Sequence, residues 1–354
     1  MPGTVLDIFN QDAFSAASLT GAVSIVPNSY GRIGELKLFT PEPIPTTSVI
    51  VVIENGVLNL LPTRPRGAPA SLGTRGKQKP KSFVIPHIPH EDAVLATDAQ
   101  NMLAAAPAGA QLETVLGFTN RKLITMRRKH AITLEHLRVT ALRGEIKDYD
   151  GSTLLNLFTA FDVTQKQIDF TLGTAGTDIG AKCDEVTSYL EDNLMGETMT
   201  GVKALMSPEW ATKFLGHAKM QNAFANYPAT PAGANPIREN VRKGFVFRGI
   251  EFEEYRGSAS YIQEDGSPST PERFIPAGDV RFFPLGTSDT FTNYWGPPDF
   301  WDAVNTAPGV EDAEVFVAPL ERMKFGKGME IHTESNPLPL VKRPQLLVRG
   351  YSSN

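Results

Sequence analysis

Residues 63–92 read TRPRGAPASLGTRGKQKPKSFVIPHIPHED. Six of them are Lys or Arg (Arg64, Arg66, Arg75, Lys77, Lys79 and Lys81), no acid appears before Glu91, and five prolines and three glycines are interspersed. Proline withholds an N–H and glycine adds backbone entropy, so neither a helix nor a central strand can run through this stretch. From Pro62 to Pro80 the chain must therefore form a connection of about twenty residues, well past the usual length, and such loops are functional, disordered or bound to something.

The flanks say what the loop connects. Upstream, TTSVIVVIENGVLNLLP (Thr46–Pro62) places two apolar runs around Asn55-Gly56, a hairpin signal. Downstream, KSFVIPHI (Lys81–Ile88) reads as a strand, and Glu91 and Asp92 read as first-turn acids opening a helix, HEDAVLATDAQNML. From Gln111 the period becomes helical. Leu112, Leu116, Leu123, Met126, Leu134, Leu137 and Ala141 recur in steps of three, four or seven. About thirty-two residues at 1.5 Å rise give a helix of roughly 48 Å, long enough to serve as a structural spine.

Proline placement marks the regular middle of the chain. Of the 27 prolines, none lies between Ala108 and Ser207. Within and after that gap the sequence predicts a hairpin at Tyr149-Asp150-Gly151, a helix over Ala181–Met195 and a strand VKALM. Ser207 then caps a helix that Pro208 opens, running on through EWATKFLGHAKMQNAFA. A strand pair is expected around Arg248-Gly249, and a last strand in PLPLVKRPQLLVRGY is expected to return to the spine.

Composition narrows the function. With 354 residues, 41% hydrophobic and 21% charged, the chain is globular and large enough for two or three domains. A net charge of −5 confines any polyanion binding to a local patch. Cys183 is the one cysteine, which excludes an internal disulfide or a multi-cysteine metal site and suits a reducing compartment. The N-terminal MPGTVLDIFNQDAF has no basic, apolar leader, and the longest aliphatic run is Val49–Ile53, so a soluble intracellular chain is expected.

No chemistry is evident. His87, His90, Glu91 and Asp92 of PHIPHED could ligate a metal, but an extended HIPH need not bring its imidazoles together and HExxH is absent. GTAGTDIG (Gly173–Gly180) lacks the Lys-Ser/Thr of a phosphate loop and reads as a connection. Cys183 sits beside Asp184 and Glu185, which disfavours a thiolate. The sequence therefore predicts no enzyme, no cofactor and no metal. On the long helix, Arg127 and Arg138 are eleven apart and share a face with Arg128 close by; that face is either solvated or near nucleic acid.

The order of these pieces resembles the major capsid protein E family of lambda-like tailed phages, of Hong Kong 97-type fold. PRGAP (Pro65–Pro69) in the basic loop and the FVIPHI strand (Phe83–Ile88) carry the resemblance, which runs from about Ser18 to the C-terminus. It implies an α+β protein with an N-terminal arm (1–45), a strand and extended E-loop hairpin (46–90), and a spine helix with peripheral (P) domain hairpin (91–180). An axial (A) domain (181–305) and strands returning to the P domain (306–354) complete it. It also implies hexamers and pentamers forming an icosahedral head around double-stranded DNA. The implied partners are a separate scaffolding protein, a portal and a decoration protein, with assembly in the host cytoplasm. On this reading Arg64, Arg66, Arg75, Lys77, Lys79 and Lys81 contact a neighbouring copy, and Arg127, Arg128 and Arg138 are candidate lumen-facing cations. An encapsulin-like shell and a nucleic-acid-binding module are the alternatives. The basic loop holds no aromatic residue before Phe83, which counts against the second.

Overall fold

The computed structural model of the protein describes residues 31–54, 78–98, 100, 111–225, 244–261, 263, 267–301 and 314–354. The chain divides into two compact units. Unit 1 holds Met1–Val49, Ser82–Glu135 and Thr292–Leu340, and unit 2 holds Ile50–Lys81, His136–Phe291 and Val341–Asn354.

Unit 1 starts with a one-turn helix, α1 (Arg32–Glu35), and a strand, β1 (Thr40–Pro43). Glu135 of the long helix accepts the Ile33 N–H at 3.0 Å, and Gly31, at φ 120°, is the residue that lets the carboxylate in. A Cβ there would lie 2.8 Å from Glu135 Oε2. β2 (Ser48–Glu54) pairs with β3 (Gln78–Val84) as a two-stranded ribbon. The partner of SVIVVIE is thus QKPKSFV, across the long loop. The Asn55-Gly56 turn and Arg64, Arg66, Arg75 and Lys77 lie outside the described residues.

Ile88–Leu95 forms a strand, β4, where the sequence suggested a helix opened by Glu91 and Asp92. The period of two prevails over the acid signal. Val94 is buried on one face, while Glu91 and Leu95 are exposed on the other. α2 (Gln111–Leu142) is the expected spine, 32 residues long. Its stripe is buried at Leu123, Met126, Leu134, Leu137 and Ala141; the side chains of Leu112 and Leu116 lie outside the described ones. Leu123 and Met126 pack with Val94, Val315, Val317, Met329 and Ile331, and Leu134 packs on Trp295.

In unit 2, β5 (Glu145–Lys147) and β6 (Thr153–Asn156) make the hairpin expected at Tyr149-Asp150-Gly151. Next come α3 (Leu157–Phe161), β7 (Gln167–Asp169) and α4 (Ile179–Asn193), where Asp178 caps α4 by accepting the Ala181 N–H at 3.2 Å. β8 (Gly201–Met206) leads to the expected cap, Ser207, which accepts the Trp210 N–H at 3.3 Å ahead of α5 (Pro208–Gly216). The run expected as one helix breaks at His217, whose backbone is extended, and α6 (Ala218–Ala225) starts afresh. The His217 ring explains the break: Nε2 donates to Thr174 O at 3.0 Å and Nδ1 accepts the Lys219 N–H at 3.2 Å.

β9 (Phe245–Phe247) and β10 (Ile250–Glu254) are antiparallel around Arg248-Gly249, both at positive φ (51° and 77°), as a tight hairpin turn requires. After the short pair β11 (Ser258–Ala259) and β12 (Glu272–Arg273), β13 (Asp279–Leu285) runs antiparallel to β8.

The chain then re-enters unit 1. β14 (Phe291–Trp295) lies between β1 and β18 (Pro337–Val341). β15 (Phe316–Val317) and β16 (Glu321–Arg322) flank β17 (Gly328–Ser335), which pairs antiparallel with β4 from Gly328↔Leu95 to Ser335↔Ile88. The last strand is β19 (Val348–Tyr351). It is inserted between β7 and β13 in a six-stranded mixed sheet of order β7-β19-β13-β8-β10-β9. Burial explains the choice, because Leu346, Leu347 and Val348 are each at most 1% exposed, and Leu346 and Val348 belong to the core of this sheet. α4 and α5 supply Cys183, Val186, Leu190, Trp210 and Phe214 to the same core, and the Trp210 and Phe214 rings stack at 4.6 Å.

Candidate assembly surface

In the sequence the cationic stretch lies between β2 and β3. Lys79 lies in β3, and Lys81 stands at the arm's root, where its ammonium is held by the Ala160 carbonyl and by Asp162 at 3.1 Å. Lys81 is thus engaged within its own subunit, which the inter-subunit assignment did not foresee. The ribbon carries exposed apolar side chains, Ile50 and Val84. A two-stranded ribbon is at best marginal in water and gains stability from a surface to lie on.

Along α2 the cations sort into two sets. Lys122 pairs with Asp92 at 2.7 Å and Arg127 with Glu314 at 3.5 Å, so both are turned to the body of unit 1. Arg138 is half-buried. Arg127 and Arg138 therefore do not present a common open face, contrary to the sequence reading. Arg128 does face solvent, and Arg121 and Lys129 join it. The missed signal is the four-and-three spacing of Arg121, Thr125 and Arg128, which marks the exposed stripe once the apolar one is fixed.

Two stretches of the chain, Asp169–Glu197 and Glu251–Glu272, are rich in acids. Most of their described acids are used internally. Asp184 pairs with Arg248 at 3.1 Å and Glu185 with Lys166 at 2.9 Å, while Glu197 accepts from Ser288, Asp289 and Thr290 and pairs with Arg343 at 3.0 Å. Glu251 and Glu253 both hold Lys203. Glu191, Asp192 and Glu272 are exposed and make no ion pair among the described residues.

PHIPHED does not gather into a metal site. His87 Nδ1 lies 2.9 Å from Asn336 Oδ1, His332 lies on Glu91 at 3.1 Å, and no group of three potential ligands forms among the described residues. Cys183 is fully buried, and burial followed by Asp184 pushes its thiol up to about 12, so no thiolate is available at neutral pH. Gly173–Asp178 belongs to the connection between β7 and α4, and Ile179 and Gly180 open α4. No helix among the described residues is long and apolar enough to cross a membrane.

The family model described as phage major capsid protein E matches residues 15–352. The major capsid protein of Pseudomonas phage KPP10 is 30% identical over 96% of this chain and 97% of its own length. That of Salmonella phage Felix O1 is 26% identical, covering 95% of each chain. Among solved structures, a putative capsid protein of an Escherichia coli CFT073 prophage superposes with TM-score 0.54 at 13% identity, over 96% of this chain and 99% of that one. That likeness concerns the fold, which is the Hong Kong 97 type. The chain belongs to the phage major capsid protein E family.

Proposed function

We propose that this chain is the subunit that tiles a tailed-phage head, assembling as hexamers and pentamers around packaged double-stranded DNA. The observation that carries the reading is the family match over residues 15–352, nearly the whole chain. On it, the arm from 56 to 81 lies on a neighbouring copy, with Arg64, Arg66, Arg75, Lys77 and Lys79 steering towards exposed acids of that copy such as Glu191, Asp192 and Glu272. Exposed pairs contribute about 0–1 kcal/mol each, so they set register while apolar burial around Ile50 and Val84 supplies most of the affinity. Arg121, Arg128 and Lys129 are the α2 cations open to non-specific phosphate contact.

A scaffolding protein, a portal and a decoration protein are separate chains on this reading, and the protein turns over no small molecule. Negative-stain microscopy of the purified protein tests it. Polyhedral shells or ring-shaped capsomers are expected, and a monomer at high concentration with no higher species would refute it.

A further inference from the structure

Where α2 lies on the β4–β17 pair, three imidazoles meet: His90 of β4, His130 of α2 and His332 of β17. The His90 and His130 rings are 6.1 Å apart, edge to face. Thr333 joins them. Its hydroxyl donates to the His90 carbonyl at 3.1 Å, which uses its one proton. The 3.0 Å contact between Thr333 Oγ1 and His130 Nε2 therefore requires the imidazole to donate, which fixes His130 as the Nε2–H tautomer. His90 Nε2 lies 3.1 Å from Lys129 Nζ, and an ammonium can only donate, so His90 Nε2 is a bare acceptor.

His332 is the opposite case. Its Nδ1 lies 3.1 Å from Glu91 and its Nε2 2.9 Å from Glu334, an arrangement that favours the imidazolium. The row Lys129, His90, His130, His332 thus has a cation at each end and neutral rings between. The carboxylates facing it are committed: Glu91 and Glu334 to His332, Asp92 to Lys122, and Glu314 to Arg127. His130 also borders a cavity of about 10 Å³ shared with Arg127, Glu314 and Ser335, room for no more than one water.

We propose that this row of imidazoles is an acid-sensitive latch between the spine helix and the β4–β17 sheet, closed while the inner rings are neutral and opened when a proton enters between two cations whose neighbouring carboxylates are already paired. The latch belongs to the single subunit and is independent of what the chain assembles into. Burial, then His90, His332 and Lys129, push His130 down to about 4. Burial and then Lys129 lower His90 as well, outweighing Asp92 and Glu91, which act upward on it from their own ion pairs. At His332 burial works downward, but Glu334 and Glu91 outweigh it and the value is raised.

The signs follow from linkage. His130 and His90 bind protons better unfolded than folded, so their contribution is intact above about 6.5 and is lost as pH falls towards 4. His332 contributes fully below 6.5 and loses its contribution as pH rises through its folded value, so between pH 8 and pH 5 it offsets part of the loss, equally in the wild type and in a variant at His130. For His130 alone, a shift from 6.5 to about 4 predicts that opening at pH 5 rises about thirty-fold over pH 8.

Amide hydrogen exchange of the full chain at pH 8 and pH 5, read as protection factors over residues 121–134, measures this. A loss of about thirty-fold is expected in the wild type and only a few-fold in His130→Gln, whose amide can still donate to Thr333 but does not titrate. Equal losses in the two proteins, or unchanged wild-type protection, would overturn the latch. If His130→Gln does not fold, exchange at the imidazole C2 carbon of the wild type decides. A His130 midpoint near 4–5 supports the latch, and a midpoint at or above 6.5 overturns it.

Discussion

Lys203 shows how a single residue can be both hidden and structural. It is fully buried in β8, opposite Glu251 in register, and its ammonium lies 2.7 Å from Glu253 and in contact with Glu251. A buried charge of this kind is tolerable only because it is paired, and deleting one partner leaves the other desolvated. Lys203→Met should therefore lower stability by about 3–5 kcal/mol in urea unfolding, since Glu253 would remain buried without its cation. The double variant Lys203→Met/Glu253→Met should recover most of that loss, because apolar side chains of similar volume replace the pair. A single variant as stable as wild type would show that the ion pair contributes nothing. Nothing in the sequence marks this lysine; GVKALM reads as an ordinary strand with one exposed position, and only the neighbouring β10 carboxylates reveal why it can be buried.

At the scale of elements, local signals located most of the fold. The period along α2, the Ser207-Pro208 helix start and the Arg248-Gly249 turn are short-range effects, so the chain states them directly. What the sequence misread was decided by distant partners. Ile88–Leu95 carries acids where a helix could begin, yet β17, more than two hundred residues away, offers it a ladder. The C-terminal run was read as a strand, but which strands it pairs with is not encoded in any window around it. Its position between β7 and β13 makes a direct prediction. Removing Gln345–Asn354 should split the six-stranded sheet and expose the Ile168, Val280 and Phe282 core, leaving little soluble protein in the expression lysate. Normal yields of a sharply melting truncated chain would contradict this placement.

For the whole molecule, the assembly surface was legible only as composition: a cationic, breaker-rich arm on a chain of net charge −5. Within the subunit Lys81 and Arg127 are paired with Asp162 and Glu314, while Glu191, Asp192 and Glu272 are exposed acids. Such sorting depends on which side chains meet across the fold, and no spacing rule supplies it. The central claim is that the arm's partner is another copy of the same chain. Carbodiimide coupling of particles assembled from a mixture of heavy-nitrogen-labelled and unlabelled protein tests it, with lysine–carboxylate links located by mass spectrometry. Links joining Lys77 or Lys79 to carboxylates should appear as mixed-isotope pairs, and raising salt during coupling should thin them as screening weakens exposed pairs. Links from these lysines found only within one isotopic copy, in particles that are fully assembled, would contradict the account.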